Sequence, residues 1–140
     1  MSNSIKVGVI GTGFGKQIHI PGLQNHHRTE VLAVYHRNLD TAREIARTYD
    51  IPHACQTIEA LVSLPELEAV TISTPPFLHY EMAKTVLQAN KHLLLEKPTT
   101  LTVAEAKELD QIAAASGAIV TMDFEYRFVP AWQRLAELLA

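Results

Sequence analysis

Short apolar runs alternate with segments of helical spacing along nearly the whole chain, and no other feature restricts the fold as much. The runs IKVGVI (5–10), EVLAVYH (30–36), EAVTIST (68–74), KHLLLE (91–96) and AIVTMDF (118–124) hold apolar side chains at neighbouring positions. A strand with one face in water alternates apolar with polar; a strand covered on both faces need not. A short segment near His53–Cys55 is read as the third of six strands. A helix is expected from about Phe14 to Gln24, kinked or shortened by Pro21. A second starts at Asp40 as N-cap, a third lies in TIEALVSL with Thr57 as cap, and FLHYEMAKTVLQAN is a fourth. TVAEAKELDQIAAASG has Thr102 as cap, Glu105 at the capping-box position and Gly117 as terminator, and PAWQRLAELLA begins a last helix. The alternation predicts an α/β fold: a doubly wound parallel sheet of about six strands with helices on both faces. Ligands in such sheets bind beyond the carboxyl ends of the strands. The residues after each strand are therefore the ones to read.

Composition removes several function classes. The chain has 140 residues, enough for one core, and a net charge of −3 with no basic run, so no nucleic-acid partner is expected. Its single cysteine, Cys55, has no internal partner; a reducing cytoplasm is the simplest setting, and Cys55 is read as a small packed residue rather than a nucleophile. MSNSIKVGVIG enters a strand almost at once, which leaves no room for a signal peptide. No apolar run approaches the roughly 20 residues of a membrane helix, so no membrane partner is expected.

The first strand ends in GTGFGKQIH. Gly11 and Gly13 match the first two glycines of the dinucleotide fingerprint G-x-G-x-x-G, where absent side chains allow a tight turn and close approach of a pyrophosphate. The third position is Lys16, and Gly15 falls one residue early. A P-loop fits worse: its first glycine would be Ile10, and Gln17 stands where Ser or Thr should bind magnesium. A glycine-rich turn with no ligand is the plain alternative. The second strand ends in Tyr35, His36, Arg37 and Asn38, without the acid that would bind the ribose 2′-hydroxyl of NAD. Arg37 suits the 2′-phosphate of NADP, which favours NADP and leaves NAD possible; Asp40 lies close enough to complicate the choice. After the fourth strand, Pro75 and Pro76 force a turn beside the hydroxyls of Ser73 and Thr74, and His79 falls in the first turn of the next helix. His79 by itself reads as structural. The fifth strand, HLLLE, runs into Glu96, Lys97 and Pro98, two opposite charges and an imino acid at an apolar strand mouth.

GTGFGKQIHIPGL, STPPFLHYEMA, EKP and MDFEYRF, in this order and spacing, give the chain a resemblance to the nucleotide-binding half of the Gfo/Idh/MocA (glucose–fructose oxidoreductase/inositol dehydrogenase) family, over essentially all 140 residues. The resemblance implies a Rossmann-type NAD(P)-binding domain at 1–124, with 125–140 starting the linker into a second, α+β substrate domain that these residues do not include. It implies an NAD(P)-dependent oxidoreductase acting on sugars, inositols or related polyols. It places Gly11, Thr12, Gly13, Phe14 and Gly15 around the pyrophosphate, and Ser73, Thr74, Pro75, Pro76 and His79 along the cofactor channel. Glu96, Lys97 and Pro98 would sit beside the nicotinamide with the Lys–Pro peptide in cis, and Arg127, which matches the arginine of the family's R-F pattern, is expected among the cofactor-binding residues. No metal ligand set is expected.

In chemical terms, moving a hydride from a carbinol carbon requires removing the hydroxyl proton as the carbonyl forms. Lys97 is the residue expected to hydrogen-bond the substrate oxygen and shuttle that proton, with Glu96 orienting the amine and Pro98 fixing the loop. The 140 residues alone are expected to bind cofactor without turnover; the rival reading is a dinucleotide sensor or assembly module. The end within an amphipathic helix carrying Trp132, Leu135, Leu138 and Leu139 reads as a truncation, and these side chains predict a homo-oligomer through that helix.

Overall fold

The computed structural model describes residues 4–139; the segment read as leaving no room for a leader begins in residues 1–3, outside that range. Six strands form one parallel sheet: β1 (Ile5–Ile10), β2 (Thr29–Tyr35), β3 (His53–Cys55), β4 (Ala69–Ile72), β5 (His92–Glu96) and β6 (Val120–Asp123). Their order is β3-β2-β1-β4-β5-β6. The chain thus starts at the centre, builds outward to one side and then to the other. The crevice between β1 and β4, where the order reverses, is the place such a sheet offers to a ligand.

Helices α1 (Ile20–Asn25) and α2 (Leu39–Thr48) cover one face, closing a core of Val9, Ile20, Val31, Val34 and Ile45. On the other, α3 (Ile58–Val62), α4 (His79–Gln88) and α5 (Val103–Ser116) enclose Ile10, Leu61, Ile72, Val86, Leu95 and Leu109. Two-sided burial explains why β1, β2, β4 and β5 read as continuous apolar runs; β6, at the sheet edge, has no buried residue although its sequence reads the same way. A bulge in β2 opposite the Val7/Gly8 step leaves Leu32 without a register partner on β1.

Local signals fall largely where the sequence puts them. Thr57 caps α3, and Thr102 with Glu105 forms a reciprocal capping box on α5, which Gly117 ends in the left-handed conformation at φ 69°. The N-cap of α2 is Asn38 rather than Asp40: its side chain accepts from the N–H groups of Asp40 and Thr41. The first helix also departs from a plain kink. Gly15–His19 is a π-helical turn in which the N–H of Ile20 donates to Gly15 O, and only then does α1 begin. Pro21, lacking an N–H, falls in the first turn of α1, where a missing donor is tolerated.

Between α4 and α5, Lys84 donates to Glu108 Oε1 at 2.7 Å and Tyr80 donates to Glu108 Oε2 at 2.7 Å. The lysine and the tyrosine hydroxyl hold the Glu108 carboxyl below its ordinary range, and Glu108 in turn raises the Lys84 ammonium. Burial pushes the Cys55 thiol up, as fits a packing residue. Beyond β6, a 3₁₀ turn (Glu125–Phe128) leads into α6 (Pro130–Leu139), none of whose residues is buried. Among the described residues, no helix is long and apolar enough to cross a membrane.

Candidate functional site

The three loops that leave β1, β2 and β4 meet in a cleft of about 460 Å³. The β1 loop lines it with Gly11, Thr12 and Gly13, the β2 end with Tyr35, His36 and Arg37, and the β4 loop with Ser73, Thr74 and Pro75; Phe77, Leu78 and Met82 close it from the start of α4. Each glycine of the β1 loop has its own physical requirement. Gly11 has φ +116°, and a Cβ there would meet the Ser73 carbonyl carbon and oxygen at 2.7 Å. A Cβ on Gly15 would come within 2.5 Å of Ser73 Oγ and 3.3 Å of Val9 Cγ1. Gly15 therefore supplies the close helix–strand packing that the fingerprint assigns to its third glycine. The π-helical turn takes up the one-residue offset, because an i→i+5 ring holds one residue more than an α-turn. A Cβ on Gly13 would meet nothing within 4 Å. Its side of the turn faces free space, which suits a pyrophosphate approaching the backbone.

At the β2 end, Asp40 is taken up by Arg43, whose Nη1 lies 3.3 Å from Asp40 Oδ1. The exposed Arg37 guanidinium has no carboxylate within salt-bridge distance among the described residues. Asp40 thus faces Arg43 rather than Arg37. The cleft keeps a free cation and no strand-end acid.

Lys97 lies outside this cleft. It lines a neighbouring one with Pro98, Thr99, Phe124, Glu125, Tyr126 and Arg127, of about 820 Å³. The Lys97–Pro98 peptide is cis. Half-exposed Lys97 points its Nζ at Glu125 Oε1, 3.7 Å away, and not at Glu96. Glu96 was expected to orient this amine and does not: its Oε2 accepts from the Lys97 backbone N–H at 3.1 Å, while the rest of the carboxylate turns inward, 7% exposed. Adjacent residues leaving a strand project to opposite faces, so Glu96 and Lys97 part company.

His79 joins the two clefts without lining either. It is fully buried; Nε2 lies 2.8 Å from Thr74 O and Nδ1 lies 2.8 Å from Pro98 O. The histidine expected along the cofactor channel is a brace beneath it. Phe14, Pro76 and Glu96 likewise stand outside both linings, Phe14 44% exposed with its ring edge-on to His19. Arg127 belongs to the Lys97 cleft, far along the chain from the glycine turn.

Sequence reasoning missed Glu125 beside Lys97, and it missed His19 and Asp123. His19 Nδ1 and Thr71 Oγ1 are 2.5 Å apart, and His19 Nε2 faces Glu96 at 3.5 Å and Asp123 at 3.4 Å. The pairing of β5 with β6 sets Glu96 opposite Asp123, a long-range register that only the fold reveals.

The profile of the oxidoreductase family with an NAD-binding Rossmann fold, GFO_IDH_MocA, matches residues 5–124. An uncharacterised oxidoreductase of Synechocystis, sll0816, is 53% identical over 138 residues, covering 99% of this chain but 37% of its own length. The D-xylose 1-dehydrogenase (NADP(+)) 2 of Haloferax volcanii is 33% identical over 95% of this chain and 41% of its own. The crystal structure of KijD10, a 3-ketoreductase from Actinomadura kijaniata in complex with NADP, superimposes with a TM-score of 0.92 at 30% identity, over 98% of this chain and 44% of that one. The chain spans well under half of each relative. Glycine turn, switch-point cleft and matching profile together place the chain in the Gfo/Idh/MocA oxidoreductase family, as its NAD(P)-binding Rossmann domain.

Proposed function

We propose that this chain is the cofactor-binding part of an NADP-dependent oxidoreductase acting on a sugar, inositol or related polyol. The observation that carries the reading is the switch-point cleft, which joins an open glycine turn to an arginine with no acid at the β2 end. The relatives agree in kind: the ketoreductase holds NADP, and the xylose dehydrogenase is named for NADP(+). A nicotinamide dinucleotide supplies or accepts the hydride. The backbone at Gly11–Gly13 takes the pyrophosphate, Arg37 pairs with the 2′-phosphate, and Ser73, Thr74 and Pro75 flank the path toward the nicotinamide. Lys97 hydrogen-bonds the substrate oxygen and carries its proton, with Glu125 facing the amine. Arg127 lies on the substrate side with Lys97.

These 140 residues alone bind the dinucleotide without turnover in this reading, because the remaining length of the relatives supplies the substrate pocket. The test uses the full-length protein with a panel of polyols and sugars. Lys97→Ala lowers kcat by about 10²–10⁴-fold, the usual share of a general acid–base group, and leaves dinucleotide affinity within about twofold. Near-normal turnover would make Lys97 a surface ion-pair residue. A wild-type protein inert toward every substrate would favour the sensor.

A further inference from the structure

We propose that His19, Glu96 and Asp123 form a binding site for one divalent transition-metal ion, with Zn²⁺ as the best-fitting case. His19 comes from the π-helical turn, Glu96 from the end of β5 and Asp123 from the end of β6. Nothing in the cofactor reading requires these three together. Their ligand atoms lie within 4.8 Å of one another, with His19 Nε2 at 3.5 Å from Glu96 Oε1 and 3.4 Å from Asp123 Oδ2. Ligands about 2.0–2.2 Å from a tetrahedral zinc stand roughly 3.3–3.6 Å apart. The two measured separations fall on that spacing, and both are long for an N–H···O hydrogen bond.

The site also leaves donors and acceptors unused. His19 Nε2 and Glu96 Oε1 are buried and without a hydrogen-bond partner, the two side chains being 5% and 10% exposed. Buried polar atoms normally find partners, so two orphans aimed at each other mark a missing third body. Charge points the same way. Two carboxylates converge here, and among the described residues no lysine or arginine lies within salt-bridge distance of either. A divalent cation bound to a neutral imidazole and two carboxylates brings the local charge to zero.

The outward atoms of the ligands are already held, as metal ligands usually are. The Thr71 hydroxyl, 1% exposed, fixes His19 Nδ1, and the Lys97 N–H fixes Glu96 Oε2. Three protein ligands leave a fourth position open. An ion there ties the glycine-turn helix to the mouths of β5 and β6, one residue before Lys97, so its role is positional.

The test is titration of the metal-free chain with Zn²⁺ by calorimetry and with Co²⁺ by visible absorption. The expected result is one ion per chain, with Asp123→Ala weakening binding at least about 100-fold and Thr71→Val about 10–100-fold. Asp123 is the partly exposed member, 22% for its side chain, so its loss leaves the core in place. The rings of His26 and His27 lie 4.8 Å apart on the surface and offer a competing site. Replacing both with alanine leaves the stoichiometric binding unchanged. Absence of stoichiometric binding would overturn the proposal. So would binding that survives Asp123→Ala and disappears with the surface pair. Neither result bears on the dinucleotide cleft.

Discussion

Alanine at each glycine of the β1 loop separates folding from ligand binding. At Gly11, φ is +116° and the new Cβ meets the Ser73 carbonyl carbon and oxygen at 2.7 Å. Backbone cannot rotate aside as a side chain can. A non-glycine residue in such a conformation costs about 1–3 kcal/mol, and an overpacked contact about 1–3 more. Gly11→Ala should therefore lose about 4 kcal/mol, a fall in Tm on the order of 12 °C for a domain of this size. At Gly15 the clash is with Ser73 Oγ at 2.5 Å, while Ser73 Cβ is 3.8 Å away. Gly15→Ala should cost about 1–3 kcal/mol, and Ser73→Ala should recover most of that. The same Ser73→Ala change should not rescue Gly11→Ala, whose backbone clash remains. Gly13→Ala enters free space and should stay within about 0.5 kcal/mol of wild type, yet weaken dinucleotide binding at least about tenfold. Thermal melts and calorimetric titrations of the five variants read both quantities. A Gly13→Ala protein that melts as low as Gly11→Ala, or binds dinucleotide undiminished, would refute the reasoning. Rescue of Gly11→Ala by Ser73→Ala would do so as well.

The Glu108 carboxyl, depressed by Lys84 and Tyr80, contributes stability above the ordinary carboxylate range that is lost as pH falls through its folded value; the raised Lys84 contributes stability below its ordinary range that is lost as pH rises through its folded value. Melts across pH should show both limbs, and Lys84→Met should flatten each; an unchanged profile would make the pair irrelevant to stability. For α6 we propose self-association: Trp132, Leu135, Leu138 and Leu139 are 43–79% exposed, and burying each leucine is worth roughly 1.5–3 kcal/mol. Sedimentation at micromolar concentration should show a dimer that a chain ending at Arg127 no longer forms, whereas a monomeric wild type would contradict it.

Much of this architecture was legible because its signals are local. Two-sided burial writes itself as continuous apolar strands, and the Thr57 cap and the Thr102–Glu105 box sit where their side chains reach free N–H groups. Asn38 and Asp40 are both good caps two residues apart, and only the backbone path selects Asn38. The π-helical turn was hidden for a related reason: one extra residue in a helical turn leaves the composition unchanged and shows only in the glycine spacing. What the sequence could not show is long-range. Glu96 turns from Lys97 toward His19, and His79 reaches Pro98, because the strand order sets those elements side by side. Asp40, close to Arg37 in sequence, is paired away from it by one helical turn.

The most direct test of the account is calorimetric titration of the chain with NADP⁺ and NAD⁺, repeated with Arg37→Ala. A charge-assisted pair to the 2′-phosphate is worth roughly 1.5–3 kcal/mol. NADP⁺ should therefore bind about one to two decades more tightly than NAD⁺, and Arg37→Ala should remove that advantage while leaving NAD⁺ nearly unchanged. Equal affinity of the unmutated chain for the two dinucleotides would contradict the assignment of Arg37 and, with it, of the cofactor.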